Sequence, residues 1–262
     1  MNLTTMTFDL KDHIATITLN RPDAANALNL TMSQDLLTVA SRCDSADVRA
    51  VILTAQGKMF CAGGDVLSFA AAGAGVTELM RNMTAFLHSA ISRFARMNAP
   101  LITAINGTAA GAGLSMALTG DIILAAASAK FTMAYTKIGV SPDGSSTFFL
   151  PRLVGIAKAK EMILLNPVYS AEEAKTHGLV TEVLADDALM ARANALAQQL
   201  AAGPTAAYGE TKRLLADTFS NSLETQMEME TRAISGLAAY SSDTREGFKA
   251  FTEKRKPIFE GK

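Results

Sequence analysis

Leu101-Ile102-Thr103-Ala104-Ile105-Asn106-Gly107-Thr108-Ala109-Ala110-Gly111-Ala112-Gly113 begins as an apolar strand and ends in a turn built almost wholly of glycine and alanine. Such residues leave no side chain between the backbone N–H groups and a ligand. The turn runs into a helix expected over residues 112–119, whose first N–H groups lack partners and carry the positive end of the helix dipole. The pattern also occurs earlier in the chain. Ala50-Val51-Ile52-Leu53-Thr54 reads as a strand, and Phe60-Cys61-Ala62-Gly63-Gly64-Asp65 follows it as a second small-residue turn. Two such turns converging on one oxygen form an oxyanion hole. Gly and Ala equally suit tight strand–helix connections with no ligand, and spacing alone leaves both readings open.

Outward from these turns the chain alternates strands and helices. A hairpin is expected from residues 7–10 and 14–19 around Lys11-Asp12-His13, closed by Asn20-Arg21-Pro22-Asp23 because proline ends a ladder. A helix follows over 30–41. Gly73-Ala74-Gly75 marks a break preceded by a loop, and the helix at 78–97 carries Met83, Leu87, Ile91 and Phe94 along one face. Short strands are expected at 122–125, 130–133 and 180–184, with a helix at 155–165 and a capping box opening another at Ser170-Ala171-Glu172-Glu173. Beyond Asp187 the pattern is helical to the end. The chain therefore reads as an α/β core over 1–185 and a C-terminal helical segment over 186–262. Leu214, Leu215, Phe219, Ile234, Leu237, Phe248 and Phe251 give that segment apolar faces that need burial on the core or on another subunit.

Composition narrows the functional classes. The 262 residues are 49% hydrophobic and 19% charged, enough for a large core, and 24 Lys+Arg against 25 Asp+Glu give no bulk attraction to nucleic acid. Cys43 and Cys61 form neither a disulfide framework nor a metal-ligand spacing, which suggests free thiols in a reducing compartment and no metal site. The N-terminal residues lack the basic start and apolar block of a signal peptide. The uncharged stretch 99–120 is long enough to cross a bilayer, but Pro100, Asn106 and four glycines interrupt it, so a buried strand–turn–helix is the better reading. A soluble cytoplasmic protein without membrane or nucleic-acid partners is expected.

Both turns belong to a longer set of motifs. These are Leu19-Asn20-Arg21-Pro22, Ala27-Leu28-Asn29, Gly120-Asp121, Ala129-Lys130-Phe131, Ala171-Glu172-Glu173-Ala174 and Gly178-Leu179-Val180. Near the end come Glu246-Gly247-Phe248-Lys249-Ala250-Phe251 and Glu253-Lys254-Arg255-Lys256-Pro257. In this order and spacing they resemble the crotonase (enoyl-CoA hydratase/isomerase) superfamily over essentially the whole chain. The resemblance implies an α/β spiral of ββα units with a C-terminal helical trimerisation segment, assembled as a homotrimer or a dimer of trimers. It also implies acyl-CoA thioester substrates, with coenzyme A part of the substrate and no separate cofactor.

By position, the oxyanion donors would be the backbone N–H groups of Ala62 and Ala112, with Gly63, Gly64, Asp65 and Gly111 beside the substrate. Asp65 suits a helix N-cap better than a catalyst. The resemblance implies hydratase glutamates four residues beyond Gly111 and shortly after Phe131; this chain has Ser115 and Tyr135 there. Neither is an effective base at neutral pH, which disfavours hydration. Asp143, in Val140-Ser141-Pro142-Asp143-Gly144, reads as a turn or cap residue from spacing. The segment from Phe131 to Arg152 is similar to the ring-epoxide phenylacetyl-CoA isomerase branch, which implies an aspartate there that moves protons on the acyl group. One carboxylate suffices for a double-bond shift.

Alternatives stay open. The 4-chlorobenzoyl-CoA dehalogenase branch implies a nucleophilic Asp143 with His88, which stands twelve residues before Pro100. A hydratase, a hydrolase, or a catalytically weak CoA-ester-binding or scaffold protein would share the same turns. His88 beside Thr84 and Ser92 also suits a helix surface, and His13 and His177 read as structural. The acyl wall is expected from Leu67, Phe69, Tyr135 and Phe148, and Lys254 is implied as a cation for coenzyme A.

Overall fold

The computed structural model describes residues Met1–Lys262. β1 (Met6–Lys11) and β2 (Ile14–Leu19) form the hairpin, turning through Asp12 and His13, both in the left-handed region. α1 (Leu30–Cys43) is capped by the Asn29 side chain, which accepts from the Met32 N–H at 2.9 Å. Next come β3 (Ala50–Ala55), β4 (Met59–Cys61), α2 (Val66–Ala71) and α3 (Val76–Arg96). The loop expected before Gly73 is α2, and Gly73–Gly75 is a 3-10 turn leading straight into α3.

β5 (Leu101–Ile105), β6 (Thr108–Ala110) and α4 (Ala112–Ala117) form the next unit. They are followed by β7 (Ile122–Ala126), β8 (Lys130–Thr132), a 3-10 turn over Tyr135–Ile138, α5 (Ser146–Val154) and α6 (Ile156–Leu165). β9 (Tyr169–Ser170), α7 (Ala171–Thr176) and β10 (Glu182–Leu184) precede four helices: α8 (Leu189–Ala201), α9 (Thr205–Asp217), α10 (Leu223–Tyr240) and α11 (Ser242–Thr252).

The strands make two sheets, one ordered β1-β2-β3-β5-β7-β10 and the other β4-β6-β8-β9. β3, β5 and β7 are each followed by a short strand of the second sheet and then by a helix. This repetition is the expected spiral of ββα units, and it makes the fold α/β. Beyond the β1–β2 hairpin the first sheet is parallel, and both of its faces are covered. One face packs toward α1 and α3 through Val51, Leu53, Leu101 and Ile105. The other places Ile52, Ile102, Ala104 and Leu124 against Leu189, Ala193, Leu196 and Ala197 of α8. Two-sided burial explains why these strands read as unbroken apolar runs.

Several cations fasten α9 to this body: Arg49 Nε donates to Thr205 Oγ1 at 3.3 Å, Arg213 Nη1 donates to the Arg96 carbonyl at 3.0 Å, and Lys212 pairs with Asp121. Lys212 Nζ donates to the carbonyls of Phe94 and Ala99, both at 3.1 Å, and lies 2.7 Å from Asp121 Oδ2. Burial pushes the Asp121 carboxyl up and the Lys212 ammonium down, so the site favours neither charge and each depends on its partner. The C-terminal segment keeps much apolar surface in the open: Phe219, in the turn after α9, is 72% exposed, Ile234 of α10 71% and Phe251 of α11 85%. No helix is long and apolar enough to cross a membrane.

Lys212→Met removes a partly buried ion pair and two hydrogen bonds to carbonyls, and is expected to destabilise the fold by about 1.5–3 kcal/mol in denaturant unfolding. Adding Asp121→Asn should recover part of that loss. An unchanged midpoint in the single variant would show that the pair does not hold α9.

Candidate active site

The two small-residue turns meet because the strands before them pair in parallel, Met59 with Thr108 and Cys61 with Ala109. Their contact depends on missing side chains. A Cβ on Gly113 would fall 2.4 Å from the Cys61 carbonyl oxygen, and one on Gly63 would fall 3.0 Å from that of Ala110. Gly63 also has φ +101, which other residues rarely adopt. Its position brings the first turn against the Ala112 nitrogen at the start of α4.

The segment before α1 braces the first turn from beneath. Asn26, fully buried, donates through Nδ2 to the carbonyls of Gln56 and Met59 at 2.9 and 2.8 Å. Arg21 Nη1 donates to the Ala27 carbonyl, and Nη2 reaches Asp65 Oδ2 at 3.2 Å. Asp65 also caps α2 by accepting from the Ser68 N–H. Burial opposes ionisation of Asp65, but the Ser68 N–H and Arg21 outweigh it and hold the carboxyl below its ordinary range. Asp65 is thus the cap of α2 that its sequence position suggested, but it is absent from the cavity lining, where the resemblance implied it would lie beside the substrate.

One expected donor is corrected. The Ala62 N–H is already engaged by the Ala25 carbonyl at 3.0 Å, so it does not point at a ligand. The N–H with no partner in this turn is that of Gly64, because the bonds around it run from Leu28 N–H to Gly63 O and from Asp65 N–H to Leu28 O. At the second turn, Ala112 opens α4 ahead of the first intrahelical bond, from Ser115 N–H to Gly111 O.

Gly64 and Ala112 border a cavity of about 540 Å³ that also takes in Ala62, Gly63, Gly111, Tyr135 and Asp143. Phe69, Met80, Met83, Leu87, Ile138 and Val140 give it an apolar wall. Besides Asp65, three residues expected at the site lie elsewhere. Leu67 is 84% exposed, with Val66 lining the cavity instead, and Phe148 lines a neighbouring cavity. Lys254 follows α11 and is absent from the lining.

Asp143 is the sole carboxylate of the lining. Its side chain does not cap α5, whose N-cap is Ser145; the helix start is met by the Asp143 carbonyl, which accepts from Ser146 N–H and Oγ. The carboxylate accepts instead from Tyr135 Oη at 2.7 Å, and Tyr135 Oη lies 2.8 Å from Ser115 Oγ. A hydroxyl chain thus runs from Ser115 through Tyr135 to Asp143. Burial first, and the Asp143 charge second, push the Tyr135 phenol above its ordinary value, so it acts as a donor. His88 Nε2 accepts from the Gly144 N–H at 3.2 Å and sits 3.6 Å from Asp143 Oδ2. Cys61 is buried, and burial pushes its thiol up to about 12, which rules out a thiolate nucleophile at neutral pH.

The site therefore offers two backbone N–H groups, one carboxylate held by a hydroxyl chain, and an apolar chamber. A family model described as enoyl-CoA hydratase/isomerase matches residues 9–262. The chain is 39% identical over 251 residues to the 1,2-epoxyphenylacetyl-CoA isomerase of Escherichia coli (strain K12), with 95% of each chain covered. It is 35% identical over 225 residues to the 4-chlorobenzoyl coenzyme A dehalogenase-2 of an Arthrobacter species, covering 85% of this chain and 82% of that one. A solved enoyl-CoA hydratase from Bacillus anthracis has the same fold, with a TM-score of 0.90 at 32% identity, covering 99% of this chain and 100% of the other. Its fold, its two turns and these likenesses make the chain a member of the enoyl-CoA hydratase/isomerase family, enzymes that act on coenzyme A thioesters.

Proposed function

We propose that the protein is an acyl-CoA isomerase that shifts a double bond along an enoyl thioester. The single observation that carries this reading is Asp143, the one carboxylate in the cavity, oriented by Tyr135. Loss of a C2 proton from a 3-enoyl thioester puts negative charge on the thioester oxygen. The N–H groups of Gly64 and Ala112 meet that charge, each worth about 3 kcal/mol in such a role. Asp143 takes the proton and returns it at C4, so one group serves as base and then as acid. Water addition needs a further acid/base group for the water, and Ser115 and Tyr135 stand where the family likeness would set glutamates.

A second reading has its own observation. His88 Nε2 near Asp143 Oδ2, at 3.6 Å, suits a nucleophilic Asp143 whose ester is hydrolysed with help from the imidazole. Trapping an aryl- or acyl-enzyme at Asp143 would favour that reading. Water incorporation into a 2-enoyl-CoA without a double-bond shift would favour a hydratase. Tight CoA-ester binding without turnover would favour a scaffold.

We further infer a homotrimer or a dimer of trimers, supported by the exposed apolar residues of α10 and α11. In that assembly Lys254 would serve coenzyme A held by a neighbouring copy.

Asp143→Asn should lower turnover of 3-enoyl-CoA by about 10²–10⁴-fold, and unchanged turnover would remove Asp143 from the mechanism. Tyr135→Phe deletes a hydrogen bond to a charged group, worth about 1.5–3 kcal/mol, so kcat should fall about ten- to hundred-fold with KM little changed. Equal losses in binding and turnover would argue against an orienting role. Sedimentation equilibrium should give three or six copies, and Phe251→Glu should lower that mass; a monomeric wild type would overturn the assembly.

A further inference from the structure

Beside His88 lies a second cavity of about 330 Å³, lined by Ile91, Ala95, Phe148 and Phe149 together with the polar Ser92, Ser145 and Arg96. It shares no lining residue with the larger cavity, yet the two are neighbours along α3: Thr84 and Leu87 face the larger one, His88 and Ile91 the smaller. The two linings meet in a seam where Asp143 of the larger cavity faces His88 of the smaller: His88 Nε2 accepts from the Gly144 N–H at 3.2 Å and lies 3.6 Å from Asp143 Oδ2. Gly144 carries no side chain, and a Cβ there would already lie 3.1 Å from Ser115 Cβ, so the turn side of the seam is tightly packed. The His88 side chain is half exposed and is the removable half of the partition.

We propose that His88 sets the length limit of the acyl site by closing off an apolar subsite for the distal end of the acyl group. This rests on the reading of the larger cavity as the acyl chamber. In the wild type, the acyl chain fills the larger cavity and stops at the seam. With the imidazole removed, the chain passes Asp143 and lies against Phe148, Phe149 and Ile91. The hydrogen bond from the Gly144 N–H holds the imidazole at the seam although its side chain is half exposed.

Calorimetry with free coenzyme A and saturated straight-chain acyl-CoAs of increasing length tests this without any need for turnover. In the wild type, affinity should rise with chain length and then level off. In His88→Ala it should continue to rise beyond that length, by up to about four-fold per added methylene buried. Refilling the second cavity in His88→Ala/Ala95→Phe should bring the plateau back to the wild-type length. A plateau at the same length in wild type and His88→Ala would overturn the inference, as would continued tightening in the refilled double variant. Equal affinity of the wild type for free coenzyme A and every acyl-CoA would instead overturn the acyl-chamber reading itself.

Discussion

The site depends on a backbone contact that tolerates no side chains. β4 and β6 pair in parallel, and the turns leaving them touch at Gly63 and Gly113. Any other residue at Gly113 would place carbon 2.4 Å from the Cys61 carbonyl oxygen and 2.8 Å from its sulfur. Pushing the turns apart would break the alignment of the two N–H donors, because each donor belongs to one turn. The small second sheet is what sets this alignment, and the large first sheet, buried on both faces, is what keeps the small one in place.

This dependence explains which parts of the fold were legible in the sequence. β3 and β5 announce themselves as unbroken apolar runs, α3 by Met83, Leu87, Ile91 and Phe94 at helical spacing, and α7 by its capping box. β4, β6 and β9 span three residues or fewer, and β4 and β6 run straight into the glycine and alanine turns, so no apolar run marks them off. The missed donor has a similar cause. Gly64 and Ala62 are equally small, and only the chain folding back from Ala25, in a left-handed conformation, decides which N–H is engaged. Nothing within the turn itself signals a partner so far away in sequence.

Helix phase accounts for the misplaced wall residue. Leu67 is the larger side chain, but α2 starts at Val66 on its Asp65 cap, so Val66 and Phe69 share the cavity face and Leu67 turns about 100° away to solvent. His88 was equally ambiguous: its helical neighbours Thr84 and Ser92 suggest a surface stripe, and only the incoming turn at Asp143 and Gly144 gives that stripe an occupant. Arg21 belongs to one of the quoted motifs and Asn26 lies just outside the next, and the purpose of both is the support they give the first turn.

The residues at 115, 135 and 143 form one coupled unit rather than three separate departures from the hydratase pattern. Tyr135 reaches Asp143 at 2.7 Å, so a glutamate in its place would set a second negative charge against the first. Two carboxylates that close compete for one proton, and the pKa of one of them is strongly raised. A phenol avoids that conflict and adds a donor aimed at the carboxylate, while Ser115 supplies the small hydroxyl that fits behind it at 2.8 Å. Changes at contacting positions are expected to be non-additive for this reason. A glutamate at Tyr135 alone would therefore exchange the donor that orients the Asp143 carboxylate for a second charge competing with it.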